Sequence, residues 1–360
     1  MNKFAFMIHP IEIQDFYRKF PILEKTPKAL VEGAIKNLPP FKVSEIKGIK
    51  TPKGEIEGYF IGVPLTSKQM MSLPEDVVLK KIIKAGKLAE KLGANIVGLG
   101  AFTSVVGDAG ITVAKNLEIP VTTGNTYTVA TAIEGAKKAA KLIGKNFKEC
   151  ELVIVGANGS IGNVCARYLA REAKYLTLVS RNKEKLKILS QKILEETGTA
   201  VHITDNVESA LNKGDIIITV TSSVDTVIDP KHIKKGAIIC DVARPRDVSM
   251  EVARKRRDVL VIDGGIVKLP GKVDFGFNFG FPENTCYACM AETMLLTLEN
   301  KMECFSLGRE MELEKIDRIN KMAEENHFSL SGFRSFDKEV PESKIQDIKK
   351  YTQEYKIRNA

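Results

Sequence analysis

Apolar positions in the first 150 residues recur with two different periods. Val43-Ser-Glu-Ile-Lys-Gly-Ile49 and Ile56-Glu-Gly-Tyr-Phe-Ile-Gly62 flank Thr51-Pro-Lys-Gly54, whose proline and glycine have the turn chemistry of a β-hairpin. From Glu75 to Leu92 the period lengthens. Val78, Leu79, Ile82, Ile83 and Leu88 fall at helical spacing, and Gly93 stands where a left-handed C-cap glycine belongs. Ala94-Asn-Ile-Val-Gly-Leu-Gly100 predicts a buried strand, Glu118-Ile-Pro-Val-Thr-Thr123 another, and a helix follows from about Thr126 to Ile143. Strands alternating with helices imply a parallel or mixed sheet.

Near Cys150 the pattern restarts. Leu152-Val-Ile-Val155 is a short apolar run ending in a glycine-rich turn, with a helix to about Glu172 and a strand at Leu176-Thr-Leu-Val179. Further strands are expected at Asp215–Val220, Ala237–Asp241 and Val259–Asp263, which makes one open, doubly wound sheet. The remainder reads as helices at Tyr287–Glu299 and Glu310–Asn326 and a charged tail. The expected architecture is α/β: an N-terminal α/β substrate domain (1–149), a doubly wound nucleotide domain (150–268) and a helical C-terminal region (269–360).

Composition narrows the function classes. At roughly 150 residues per domain, 360 residues suit two or three domains. Hydrophobic residues at 44% and charged residues at 28% support a buried core and exclude a disordered polyelectrolyte. The net charge of +9 suits acidic partners or phosphorylated ligands. The densest basic clusters, Lys231–Lys235 and Arg254–Arg257, lack the interleaved aromatics of a single-strand nucleic-acid groove, so no nucleic-acid partner is expected. The N-terminus lacks the apolar core and cleavage site of a signal peptide, and no stretch reaches the ~18 apolar residues of a membrane span. Six cysteines are too sparse for a disulfide scaffold, which predicts a cytoplasmic protein with reduced thiols.

Gly156-Ala-Asn-Gly159-Ser-Ile-Gly162 follows a predicted strand and opens a predicted helix, the context that turns a glycine triplet into a dinucleotide fingerprint of Rossmann type. Gly156 allows the tight turn, Gly159 lets the backbone approach a pyrophosphate, and Gly162 lets helix and strand pack closely. Asn158, Ser160 and Ile161 complete the cradle, and the helix N-terminus presents N–H groups to the phosphates. After the second strand an NAD site usually carries an acid for the ribose 2′-hydroxyl. This chain has Ser180-Arg181-Asn182-Lys183, and an arginine fork grips a 2′-phosphate that an acid would repel, so NADPH is the expected cofactor. Thr221, Gly264 and Gly265, at later strand ends, are further expected cofactor contacts.

The unusual local sequence is Pro282-Glu-Asn-Thr285-Cys286-Tyr-Ala-Cys289-Met-Ala-Glu-Thr-Met-Leu-Leu296. With Asn284 or Thr285 as N-cap, Cys289 lies in the first turn or so of a helix, where the dipole favours thiolate. A thiolate can attack a thioester and give an acyl-enzyme that hydride reduces. Other readings stay open at this point. Free cysteines are commonly buried small hydrophobes, the role expected for Cys150, Cys165, Cys240 and Cys304. Cys286 and Cys289 can form a redox disulfide, whereas zinc lacks a second ligand pair, so no metal is expected.

Six segments carry a resemblance: Gly100-Ala-Phe-Thr-Ser104, Thr123-Gly-Asn-Thr-Tyr-Thr128, Gly156–Gly162, Asp263-Gly-Gly-Ile-Val267, Tyr287–Leu296 and Ser306-Leu-Gly-Arg309. In order and rough spacing they resemble the long-chain acyl-(acyl-carrier-protein) reductases, the fatty-aldehyde-forming enzymes best known from cyanobacteria. The resemblance runs from about residue 40 to 335. It implies NADPH-dependent reduction of a fatty acyl thioester through a cysteine thioester, with Cys289 as the nucleophile. It carries nothing over to Cys286. Two departures stand out. Tyr127 replaces the family's usual histidine and does not titrate near neutral pH, and the tail beyond about 335 extends past the usual family end, where a solvated accessory helix is expected.

The mechanism this predicts has acyl-carrier protein or coenzyme A delivering a thioester into a cleft between the first domain and the dinucleotide domain. Asn125, Thr126 and Tyr127, in a polar turn between a strand end and a helix start, are oxyanion candidates beside the N–H groups of the Cys289 helix. Thr103 and Ser104 are expected to face the same cleft. The mixed-charge tail leaves room for a peripheral membrane contact. Two alternatives are a shikimate- or quinate-type NADP-dependent dehydrogenase, which needs a lysine–aspartate pair that this first domain does not offer (Lys81 and Lys84 look solvent-facing), and a non-catalytic NADPH-binding redox sensor.

Overall fold

The innermost strand is one that no alternation announces. Lys3–Ile8 (β1) is apolar on both faces, and Phe4, Ala5, Phe6 and Met7 are all buried, as a central parallel strand requires. The computed structural model describes residues 1–358 except 224, 279 and 337, with side chains as far as 352. β1 lies at the centre of a sheet with β2 (Phe41–Thr51), β3 (Gly54–Gly62), β4 (Ile96–Leu99) and β5 (Val121–Thr122), in the order β2-β3-β1-β4-β5. The predicted hairpin β2–β3 is antiparallel, and the other pairings are parallel, so the sheet is mixed. Successive side chains of β1 point to opposite faces. Ala5 and Met7 share a core with Val78, Ile82, Ala85 and Ala89 of α1 (Glu75–Lys91), and Gly93 ends that turn at φ +79°. On the face of Phe6, the helix Ala288–Leu298 lies so close to β4 that a Cβ on Gly98 would fall 2.2 Å from Thr293 Oγ1 and 2.6 Å from the Phe6 ring.

The chain forms two compact units, and neither is contiguous: Met1–Tyr127 with Ile266–Ser329, and Thr128–Gly265 with the residues from Leu330 onward. The segment from 269, read from sequence as a separate helical region, therefore divides. Its cysteine-bearing helix folds with the first unit behind an antiparallel pair, Ile266–Lys268 with Thr285–Tyr287. α2 (Asn125–Leu142) begins at the last residues of the first unit's opening segment.

In the second unit, β6 (Glu151–Val155), β7 (Tyr175–Val179), β8 (His202–Thr204), β9 (Ile216–Thr219), β10 (Ile238–Asp241) and β11 (Leu260–Asp263) form an all-parallel sheet in the order β11-β10-β9-β6-β7-β8. Relabelled from β6 as 1, that order is 3-2-1-4-5-6 read from the β8 edge, the doubly wound dinucleotide arrangement. α3 (Ser160–Leu169) follows β6. The tail departs from expectation. Val340, Ile345, Ile348 and Thr352 are buried, the last three on α4 (Glu342–Arg358), and Phe336 packs against the apolar core of this unit. Ile345, Ile348 and Thr352, at helical spacing, turn one face inward, so the tail is a docked element and not a solvated accessory. Among the described residues no helix is long and apolar enough to cross a membrane.

Candidate active site

β6 runs into Gly156 at φ +90°, and an added Cβ there would sit 3.0 Å from the Val220 carbonyl. At Gly162 it would fall 2.3 Å from Gly156 O and 2.9 Å from Ala157 Cα, so the helix can approach the turn only without a side chain. Gly159 is the N-cap of α3 and no side chain caps it. The first intrahelical bond is Asn163 N–H to Gly159 O, which leaves the N–H groups of Ser160, Ile161 and Gly162 without intrahelical acceptors. Asn158 Nδ2 donates to Ser180 Oγ and Asn182 O, both at 2.9 Å, tying the loop to the end of β7. Arg181 stands exposed there with no ion pair among the described residues, while Lys183 pairs with Asp205 at 2.9 Å.

Farther along the same sheet edge, Thr221 is held by Asp247: its N–H reaches Oδ2 at 2.9 Å and its hydroxyl donates to Oδ1. Gly264 donates its N–H to Asp241 O at 2.8 Å, and a Cβ there would meet Val242 at 2.6 Å; Gly265 follows at φ +75°. Sequence reasoning missed the charged cluster at this edge. The Asp241 carboxyl accepts from the N–H groups of Ala243 and Val248, both at 3.1 Å, and burial pushes it up to about 7. Asp263 pairs with Arg246 and lies 3.7 Å from Arg244. The visible signal is Asp241-Val-Ala-Arg-Pro-Arg-Asp247, four charged positions where a strand end needs none.

In the first unit, Tyr287 is the N-cap and Ala288 the first helical residue, so Cys289 is the second. The expected caps do other work. Asn284, at φ +55°, accepts the Val273 N–H at 2.8 Å, and Thr285 donates to Pro282 O at 2.8 Å, because the chain forms the short strand Thr285–Tyr287 before the helix. Cys289 is partly exposed, whereas Cys150, Cys165, Cys240 and Cys286 are buried. Cys304, expected to be buried, is exposed, and its sulfur accepts the Val121 N–H at 3.5 Å. Burial pushes the Cys165 thiol up to about 12 and holds Cys286 well above the ordinary thiol range. Cys286 also bonds Tyr287 O at 3.4 Å, so its sulfur is anchored.

The turn after β5 is built against Cys289. Gly124 has φ +74°, and a Cβ on it would fall 2.2 Å from Cys289 Cα and 2.3 Å from Cys289 Cβ. Beneath the turn lies Glu292, fully buried, which sequence reasoning passed over. Its Oε1 accepts the Thr122 hydroxyl at 2.6 Å and its Oε2 the Tyr127 N–H at 2.9 Å; the Gly124 N–H and the Ser306 hydroxyl also face it. Loss of water nonetheless raises its pKa, outweighing these donors. Ser306 O accepts the Thr123 N–H at 2.8 Å, and Ser306 Oγ accepts the Thr126 N–H at 3.1 Å. Glu292 and Ser306 stand in two of the segments that carry the resemblance, but nothing local assigns them this role, since their partners lie 165 to 184 residues away.

β1, β4 and β5 are parallel, so the loops after them share one sheet edge. After β4, Thr103 Oγ1 donates to Gly100 O and Ser104 Oγ to Ala101 O, each at 2.7 Å, so both hydroxyl protons serve their own turn. His9, after β1, accepts the Phe102 N–H on Nε2 at 3.1 Å and faces Pro10 O with Nδ1 at 3.0 Å, which assigns the proton to Nδ1. Burial pushes it down to about 4, so it is a neutral brace. Lys81 is no solvent-facing lysine: its Nζ donates to Lys36 O at 2.6 Å and Pro64 O at 3.3 Å. Among the described residues no three His, Cys, Asp or Glu side chains gather to hold a metal ion.

Residues 137–263 match the family described as shikimate/quinate 5-dehydrogenase. The chain is 29% identical over 362 residues to the aminotransferase PigE of Serratia sp., covering 97% of this chain and 42% of that protein, so it spans less than half of that relative's length. It is 28% identical over 305 residues to the long-chain acyl-(acyl-carrier-protein) reductase of Synechococcus elongatus, covering 81% of this chain and 87% of that protein. Quinate dehydrogenase from Corynebacterium glutamicum in complex with NAD aligns at 13% identity and a TM-score of 0.38, over 72% of this chain and 87% of that one. The family match and the glycine cradle together make residues 137–263 an NAD(P)-binding dehydrogenase/reductase domain.

Proposed function

We propose that the protein reduces a fatty acyl thioester to an aldehyde, with NADPH as reductant and Cys289 as the covalent nucleophile. The observation that carries this reading is the seat of Cys289: a partly exposed thiol in the first turn of a helix, against a glycine turn that leaves no room for a side chain. The similarity to the Synechococcus reductase spans both units and supports the substrate class. The cofactor choice rests on Arg181, exposed and without an ion pair among the described residues where a 2′-phosphate would lie, and the cradle suits a pyrophosphate because glycines keep the turn tight against α3, whose first N–H groups have no intrahelical acceptor.

Cys289 thiolate attacks the thioester carbonyl, the tetrahedral oxyanion collapses to the acyl-cysteine, and the carrier leaves as a thiolate that takes a proton from water. The N–H groups of Ser160, Ile161 and Gly162 would hold the pyrophosphate, and Arg181 would hold the 2′-phosphate. NADPH, when bound, supplies the hydride that reduces the acyl-cysteine. Release of aldehyde returns the Cys289 thiolate. The carrier in this reading is acyl-carrier protein or coenzyme A, both anionic, which suits a chain of +9. Cys289→Ala is expected to abolish acyl-enzyme and aldehyde, measured by mass spectrometry with a panel of acyl thioesters, while NADPH binding holds. Aldehyde from that variant would sink the proposal.

The dehydrogenase family match favours a second reading, reduction of a ketone on a polyol ring. It ends at residue 263 and does not reach the first unit's Cys289. Alkylating the cysteines separates the two, because only the thioester reductase depends on a thiol.

A further inference from the structure

Five consecutive main-chain N–H groups, from Thr123 to Tyr127, line the turn that touches Cys289, and four are consumed by the protein. Thr123 gives its N–H to Ser306 O at 2.8 Å, Thr126 to Ser306 Oγ at 3.1 Å and Tyr127 to Glu292 Oε2 at 2.9 Å, and the Gly124 N–H faces the same carboxyl. Asn125 is the exception. Among the described residues neither its main-chain N–H nor its side-chain amide has a hydrogen-bond partner, although the residue is only 8% exposed. The Asn125 side-chain amide reaches solvent and is not sealed in the core, and its idleness in a turn whose other N–H groups are all used calls for an explanation. Its neighbour Gly124 supplies one: the turn is pressed onto the Cys289 backbone, so the idle donors belong to the residue next to that contact.

We propose that Asn125 donates to the oxyanion formed when Cys289 is acylated, and that Glu292 is the positioning residue that holds Asn125 there. Glu292 sits one turn along the helix from Cys289 and grips both flanks of Asn125: Thr122 and Gly124 before it, Tyr127 after it. The same carboxyl thus ties the nucleophile's helix to the donor's turn. Ser306 completes the frame by accepting from Thr123 and Thr126 and donating its N–H to Thr122 Oγ1 at 3.1 Å. With every other donor in the turn spoken for, the turn cannot relax to satisfy Asn125 internally. A donor fixed in advance is what a developing oxyanion requires, because no reorganisation is then needed during the reaction. This assignment rests on Cys289 as nucleophile but not on the fatty substrate or on NADPH.

Two reagents separate oxyanion stabilisation from mere thiol placement. A p-nitrophenyl ester acylates a thiol through a tetrahedral oxyanion, whereas iodoacetamide alkylates it by displacement with no oxyanion. Both are followed on the full-length protein at Cys289 by mass spectrometry. Asn125→Ala is expected to slow acylation on the order of 100-fold. Glu292→Gln, which replaces one acceptor oxygen with a donor, is expected to slow it about 10-fold, and alkylation should change less than about threefold in either variant. Equal losses with both reagents would reduce Glu292 and Asn125 to scaffolding and overturn the assignment, as would unchanged acylation. Should Glu292→Gln fail to fold, Ser306→Ala loosens the same turn more gently and is held to the same split. Wild-type protein that takes the p-nitrophenyl ester on Cys289 but yields no aldehyde from any acyl thioester would refute the proposed function and leave this inference standing.

Discussion

Two glycine turns, one in each unit, do related work by opposite means. Gly156 at φ +90° follows β6 and Gly124 at φ +74° follows β5; each sits at the carboxyl end of a parallel strand, just before a helix. In the first, the N–H groups of Ser160, Ile161 and Gly162 are left open, ready for a ligand that arrives already charged. In the second, partners among the described residues occupy four of five N–H groups and leave Asn125. A stable pyrophosphate is served by many open donors. A charge that exists only at the moment of attack is served by one donor locked in place. The difference extends to what surrounds each glycine: Gly156 and Gly162 are pressed by backbone of their own unit's loop and neighbouring strand end, Gly124 by the nucleophile itself.

The hardest break in that comparison is Gly124→Ala. Its Cβ would lie 2.2 Å from Cys289 Cα, on a backbone at φ +74°, so nothing nearby can yield cheaply. The expected cost is roughly 3 kcal/mol of stability from overpacking and left-handed strain together, read from urea melts. Acylation of Cys289 should disappear with it. Gly162→Ala should behave differently: dinucleotide binding is lost while iodoacetamide still labels Cys289 at the wild-type rate. If both variants lose both properties alike, the turns are not separate devices.

A smaller effect sharpens the first turn alone. Arg181→Ala is expected to weaken NADPH about tenfold, one charge-assisted contact at an exposed site, and to leave NADH unchanged in a fluorescence titration. Equal loss for both nucleotides would assign Arg181 to the rim and remove the argument for NADPH.

The two turns differ as much in legibility as in chemistry. Gly156, Gly159 and Gly162 announce themselves because each answers a steric demand within seven residues of chain, and the strand before and helix after are periodic. Asn125 was visible only as a polar residue between a strand and a helix. Its meaning depends on Glu292 and Ser306, which are remote in sequence, and Glu292 in an apolar helix offers no pattern that marks it as buried. β1 escaped for a related reason: a strand buried on both faces has no alternation to read. The division of the chain was hidden too, because residues 266–329 return to the first unit, and a pattern read in chain order sees only contiguous segments. The tail's buried face at Ile345, Ile348 and Thr352 is too short and too charged around its rim to stand out.

The smallest expected effect is a difference in how the two sheet edges respond to pH. His9 braces the loop after β4 in the first unit, and burial pushes it from an ordinary 6.5 down to about 4. Its folded form binds a proton less readily than its unfolded form, so the stability it contributes is present above about 6.5 and is lost as pH falls through about 4. Asp241, beside the second unit's strand ends, moves the other way: burial raises it from 3.8 to about 7, against the opposing pull of Arg244. Its contribution is fully present below 3.8 and is lost as pH rises through about 7. Acidifying from about 6.5 to about 4 should therefore loosen one edge while tightening the other. The amides that bond these groups report it directly: Phe102 on His9, and Ala243 and Val248 on Asp241. Hydrogen exchange, corrected for intrinsic rates, should show the Phe102 opening free energy falling across that window, by less than about 1.4 kcal/mol per pH unit since one partly exposed proton site is involved. Ala243 and Val248 should hold or gain. His9→Gln should flatten the first slope and Asp241→Asn the second, each without touching the other. Parallel slopes at both edges would mean that a global charge effect governs them, and that His9 and Asp241 titrate as ordinary surface groups.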